Sequence, residues 1–367
     1  MKNSDHRLLR AAIMATMVLA VLAMLAVSRL CVLRADPLKA FATPTPGPTP
    51  ASTPRVQKEI SIVDTIVGTT VPNTTASTIV PVSTQAPERI LGANTISVVL
   101  MGLDSDDERE RAGRGWRSDT IAVLVIDVRT PSCTVLHVPR DTRAQVQKRA
   151  ESRVKSVQYQ KINAAFQYGG GPAENGHENL IDALKRLLFD GLESDVALQY
   201  YASIDMDGIA KLADSVGGVP LTLPYDVDSF GKAGEEVTLG GDRARAFVRL
   251  RHGITGGSDI GRVERQQLFI KAFAKKVQAL GARETIPLIY TALGSEIHTN
   301  LNMEQLLVLA DLLHRLDLDE TEFIILPGAC KTIDGRSYYM PATKKIQALA
   351  LSLWGEKQTQ QVFRWRN

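Results

Sequence analysis

Three continuous apolar runs, TISVVLMGL at 95–103, TIAVLVIDV at 120–128 and CTVLHV at 133–138, dominate the first half of the folded part of this 367-residue chain. A strand with one wet face alternates apolar and polar residues. Runs without that alternation are buried on both faces, so they form the centre of a sheet with helices above and below it. Helical spacing follows at 178–190 (ENLIDALKRLLFD), 205–216, 262–280, 303–316 and 342–354. This order predicts an α/β sandwich around a mixed central sheet.

The N-terminal quarter reads differently. Residues 11–27, AAIMATMVLAVLAMLAV, carry no charge, and the apolar stretch runs on to Leu33 with one break at Arg29. That is close to the length of a membrane-spanning helix. Lys2, Arg7 and Arg10 precede it, which favours residues 1–10 in the cytoplasm and everything after Arg34 outside, although Arg29 and Arg34 blunt the asymmetry. A cleaved signal peptide, cut at Ala40-Phe41-Ala42, is the alternative. Arg29 argues against lipidation of the nearby Cys31. Residues 34–94, opening with TPTPGPTPASTP after Ala42, are rich in proline, serine and threonine and predict an extracytoplasmic disordered linker. It would reach on the order of 40 Å coiled and roughly 140 Å stretched. A short apolar run, ISIVDTIV at 60–67, is either a strand or unpacked. The division expected is thus 1–10, an 11–33 transmembrane helix, a 34–94 linker and a 95–367 catalytic domain, in a single-pass protein of the cell membrane.

Net charge is +3, too small for bulk attraction to nucleic acid, and no helix-turn-helix or basic recognition helix stands out. Three cysteines and six histidines have no zinc-type spacing. Cys133 and Cys330 are the candidates for a disulfide in an exported domain, but their separation in sequence gives no geometry.

The charge that matters is clustered. Arg117, Arg140, Arg249, Arg251, Arg262 and Arg265, with Asp104, Asp119, Asp141 and Asp259, mostly sit beside turns or at the ends of apolar strands. A guanidinium meets phosphate oxygens as a planar fork and stays charged when buried, so such a set suits phosphate or pyrophosphate. Arg117 and Asp119 share one side of the chain if it is extended there; Arg249 and Arg251, alternating with Leu250, do the same, and Arg262 and Gln266 share a helix face. Asp104 and Asp119, at adjacent strand ends, are the pair for a hard divalent cation, with Asp106 or Asp107 as stand-ins for Asp104. Asp259 reads as the cap of the helix carrying Arg262.

These residues fall in ordered motifs: RSDT at 117–120, PRDT at 139–142, KIN at 161–163 before a glycine triplet, DSVGGVPL at 214–221 and VRLRHGITGGSDIGRVERQQ at 248–267. In this order they resemble the LytR-CpsA-Psr family of bacterial cell-wall glycopolymer ligases, over about Thr95 to Trp354. The resemblance implies a three-layer α-β-α sandwich with an apolar lipid channel between sheet and helices. It implies magnesium, or manganese, on Asp104 and Asp119. It places Arg117, Arg140, Arg249, Arg251, Arg262 and Gln266 on the pyrophosphate of a polyprenyl carrier, with Arg265 in support and Asp119, Arg140 and Asp141 in the catalytic group. Asp141 either holds Arg140 or accepts a proton.

There are departures. Ala164 stands where the family usually has histidine after KIN. A basic stretch with Arg143, Lys148, Arg149, Arg153 and Lys155 reads first as a solvated loop and second as a surface for an acidic glycopolymer. The Leu306, Leu307, Ala310 and Leu313 stripe has ordinary core periodicity, and only the resemblance makes it a channel wall. The function implied is a membrane-anchored phosphotransferase that moves a glycopolymer from polyprenyl pyrophosphate to peptidoglycan. The alternatives are a pyrophosphatase acting on the same carrier, or a non-catalytic wall-binding or regulatory protein.

Overall fold

The computed structural model describes residues 33–41, 89–90, 92, 94–104, 115–150, 153–194, 196, 198–250, 259–281, 285, 288 and 297–355. The three apolar runs are strands β1 (Thr95–Asp104), β2 (Arg117–Asp127) and β3 (Ser132–His137). Then come β4 (Arg143–Ala150), β5 (Arg153–Lys161), α1 (Ala164–Tyr168) and α2 (Gly176–Leu188). Next are β6 (Tyr200–Asp205), α3 (Met206–Ser215), β7 (Val219–Thr222), β8 (Glu236–Leu239), α4 (Gly241–Arg249) and α5 (Asp259–Leu280). The chain continues through β9 (Ile297–Thr299), α6 (Met303–Arg315), β10 (Glu322–Ile325), β11 (Gly328–Ile333), β12 (Arg336–Pro341) and α7 (Thr343–Trp354).

The central sheet has six strands in the order β9-β6-β1-β2-β3-β10. It is mixed: β1 pairs antiparallel with β2 and parallel with β6, while β3 pairs antiparallel with β2 and parallel with β10. Strand alternation sorts the apolar runs between two faces. Val99, Met101 and Leu103 pack with Phe166, Leu180 and Leu184 of α1 and α2 and with Trp354 of α7. Ile96, Val98, Ala122 and Val135 pack with Val308 and Leu312 of α6 on the other side. Each such fully buried side chain contributes roughly 1.5–3 kcal/mol. A third cluster joins Val219, Leu239 and Phe247 to Phe269 of α5.

Two elements differ from expectation. The basic stretch forms a two-stranded antiparallel hairpin, β4–β5, rather than a loop. Alternation along β4 buries Ala144 and Val146, giving the strand a reason to form. Residues 241–249 form α4, whose inward residues Ala244, Phe247 and Val248 keep the i, i+3, i+4 spacing in an otherwise charged segment. Between α1 and α2 the glycine triplet turns sharply, with φ of 92° at Gly170 and 72° at Gly171.

Among the described residues no helix is long and apolar enough to cross a membrane. Residues 1–32, most of the expected linker, and the ISIVDTIV run lie outside the described residues. Residues 33–41 are described: Leu33, Ala40 and Phe41 join the α6 face of the sheet, and Phe41 meets the Tyr200 ring edge-on at 5.1 Å. Cys133, buried, and Cys330, exposed, are both free thiols, and burial pushes the Cys133 thiol up to about 12.

Candidate functional site

A β-bulge aims the first carboxylate. Gly102 pairs with Thr120 and Leu103 with Ser118, which leaves Asp119 as the extra residue of β2. The strands close tightly here, since a Cβ on Gly102 would lie 2.8 Å from the Cβ of Thr120. One residue on, Asp104 ends β1 opposite Arg117. Asp104 and Asp119 are both largely buried, whereas Arg117 is exposed.

After β3 the chain turns through Pro139–Thr142, with the amide and the hydroxyl of Thr142 both donating to the Pro139 carbonyl. This turn delivers Arg140, whose Nη1 lies 2.6 Å from Asp119 Oδ2 in a charge-assisted hydrogen bond. The end of β5 docks on the same turn: Ile162 N donates to Thr142 O and Asn163 N to Arg140 O. That docking brings Asn163 Nδ2 to 3.4 Å from Asp119 Oδ1, and Lys161 Nζ to 3.0 Å from Asp141 Oδ2. Asp141 Oδ1 is 3.9 Å from Arg140 Nε. Both carboxylates therefore fix the Arg140 guanidinium, with Asp119 the closer.

The other cations come from α4 and α5. Arg249, the last residue of α4, reaches 3.6 Å from Asp104 Oδ1. Its expected partner in alternation, Arg251, lies outside the described residues, as do Asp106 and Asp107. On α5, Arg262, Arg265 and Gln266 are 4%, 2% and 5% exposed. Arg262 and Gln266 share a buried face as their spacing requires. Arg265, expected only in support, is the most buried and donates to the Leu250 carbonyl. Gln266 Nε2 donates to Val248 O at 3.3 Å, while its buried Oε1 accepts no hydrogen bond among the described residues. α5 begins at Asp259, the residue expected to cap it, and residues 251–258 before it lie outside the described residues.

His137, at the end of β3, was missed. Burial first and the Arg262 charge second push its imidazole down to about 3, so it is neutral at the edge of the arginine cluster. Lys161 and Asn163 were visible only as members of the KIN motif, with no role attached.

The first two turns of α5 hold the arginines, and the next turns reach something quite different. Ile270, Phe273, Ala274 and Val277 line an apolar cavity of about 330 Å³ between the sheet and α6. Leu100, Leu124 and Val135 of the sheet and Leu306, Ala310 and Leu313 of α6 complete much of its wall. Leu307 is not part of that wall.

No group of three or more His, Cys, Asp or Glu gathers around one point among the described residues. Two carboxylates, Asp104 and Asp119, remain, and magnesium is commonly held by one or two carboxylates with water and substrate phosphate supplying the rest. The donor chemistry fits such an ion.

The strand ends of this mixed sheet thus carry carboxylates that brace guanidiniums, and an apolar cavity lies further along α5, which defines an α/β protein with a charged site beside an apolar space. Comparison with known proteins narrows this: the chain belongs to the LytR_cpsA_psr family, whose model matches residues 62–353. It is 29% identical over 218 residues, 59% of this chain, to "Polyisoprenyl-teichoic acid--peptidoglycan teichoic acid transferase TagU" of Halalkalibacterium halodurans, and spans 64% of that relative's length. The protein of the same description from Bacillus cereus is 28% identical over 255 residues, 69% of this chain and 76% of the relative. The fold matches the crystal structure of B. subtilis TagV with a TM-score of 0.56 at 21% identity, covering 71% of this chain and 97% of that one.

Proposed function

We propose that this protein transfers a glycopolymer from a polyprenyl-pyrophosphate carrier to a hydroxyl of peptidoglycan. The observation that carries this reading is α5. Its Arg262–Gln266 turn and the cavity-lining Ile270 are four residues apart, about 6 Å along a helix, so one element spans a charged head group and an apolar tail. The relatives' names, teichoic acid transferases acting on a polyisoprenyl carrier and peptidoglycan, support the same substrates.

In this reading Arg140, held by Asp119 and Asp141, and Arg117, Arg249, Arg251, Arg262 and Gln266 grip the pyrophosphate. The acceptor oxygen attacks the sugar-proximal phosphorus, the phosphoanhydride bond breaks, polyprenyl phosphate leaves, and the hydroxyl proton passes to a carboxylate. Asp141, at 24% side-chain exposure against 9% for Asp119, is the more accessible acceptor. Magnesium or manganese on Asp104 and Asp119 would offset phosphate charge. Positioning and preorganised charge then supply most of the acceleration. The apolar segment that begins at residue 11 anchors the protein in the membrane and ends before Leu33, which packs on the folded domain outside.

The test is product analysis with the full chain in detergent, given radiolabelled polyprenyl-pyrophosphoryl saccharide with and without peptidoglycan fragments. Label on the peptidoglycan is the expected result. Free sugar phosphate in both arms would instead make the protein a pyrophosphatase, and no turnover would leave a wall-binding protein.

A further inference from the structure

Beside the carboxylate and arginine site lies a second, polar cavity of about 340 Å³. Its walls come from the start of β2, the end of β5, α1 and the distant strand β12. Arg117, Lys161 and Arg336 supply three cations, and no carboxylate is among the described lining residues. Lys161 is engaged with Asp141, but neither Arg117 nor Arg336 forms an ion pair among the described residues. Gln160, Asn163 and Gln167 add amides, and the phenol rings of Tyr168 and Tyr338 give flat apolar surface. Ala164 presents only a methyl group, which leaves that wall open.

We propose that this cavity binds an anionic saccharide, a sugar ring bearing a carboxylate or phosphate, next to the reacting pyrophosphate. Rings and amides suit a pyranose, which offers an apolar face and a rim of hydroxyls. Arg117 and Arg336, without carboxylate partners among the described residues, suit its negative substituent. The volume is at the lower end of the range for small-ligand pockets, a size for a sugar rather than a polymer. Its place follows from shared residues: Asn163 bonds Asp119, Lys161 bonds Asp141, and Arg117 stands opposite Asp104. Arg336 and Tyr338, outside every motif singled out in the sequence, thereby select the saccharide. The substrate assignment rests on the transfer reading; the saccharide chemistry does not.

The experiment is calorimetric titration of the full chain, without polyprenyl donor or divalent cation. Three probes are used: a soluble peptidoglycan disaccharide-peptide with free carboxylates, its fully amidated counterpart, and a disaccharide glycerol phosphate. At least one anionic probe should bind about tenfold more tightly than the amidated one, and Arg336→Gln, an exposed strand position, should remove that advantage. Preference for the carboxylated probe assigns the cavity to the acceptor, and preference for the phosphate probe assigns it to the donor polymer. Equal affinity for all three probes, or an undiminished advantage in Arg336→Gln, overturns the proposal. Anionic preference without any polymer transfer would defeat the transfer reading and leave the saccharide site standing.

Discussion

Arg140 has its charge pinned from two sides, by Asp119 at 2.6 Å and Asp141 at 3.9 Å, so what it contributes is a fork of fixed direction as well as a cation. Arg140→Lys keeps the charge and loses the fork. Its transfer rate is expected to fall about 100-fold with the thermal midpoint little changed, read from label transfer and a melting curve. A second residue-scale prediction comes from His137 and His177, whose imidazoles burial pushes down from 6.5 to about 3 and about 4. Both are neutral in the fold, and the unfolded chain binds more protons below pH 6.5. Their contribution is thus complete above that pH and lost as pH falls toward 4 and 3, at about 1.4 kcal/mol per pH unit for each histidine. Denaturant titrations across this range should show that slope, reduced in His137→Gln. The arginines and aspartates were legible because their residue types recur beside strand ends. Asn163 and Lys161 were not, since their roles depend on β5 docking onto the Pro139–Thr142 turn through long-range backbone bonds.

Strands β1, β2 and β3 were legible because burial on both faces leaves long apolar runs. Helix α4 was hidden by its charged surface, and the β4–β5 hairpin by its lysines and arginines. Asn179 of α2 ties the hairpin to the helical layer. That amide donates to Gln147 O at 2.9 Å and Ala165 O at 2.6 Å, and accepts from Arg149 Nε at 3.1 Å. Arg149 also meets Asp182 at 2.7 Å. Asn179→Ala removes both donations and takes the Asn179 acceptor away from Arg149 Nε, and should cost about 1–3 kcal/mol in chemical denaturation. The bulge at Gly102 sets the other element-scale constraint. Gly102→Val would drive β1 against Thr120, and it should depress transfer more than stability, because the displaced neighbour adjoins Asp119.

At the scale of the molecule, helix α5 joins the charged strand ends to an apolar cavity. Ala274 lines that cavity on α5, well away from the arginines. Ala274→Trp should fill part of it, and raise KM for long polyprenyl carriers about tenfold while sparing short-chain analogues, which a chain-length series of donors would show. The sheet and its two helical layers followed from periodicity alone, whereas the cavity did not, because a stripe such as Leu306, Ala310 and Leu313 looks the same whether it packs against a neighbour or bounds a space. The most direct test of the whole is magnesium-dependent transfer of radiolabelled saccharide from its polyprenyl-pyrophosphoryl carrier to peptidoglycan by the full chain, beside Asp119→Ala. Label should reach peptidoglycan with the natural sequence and drop by about 100-fold or more in the variant; equal transfer by both proteins would contradict the site assigned here.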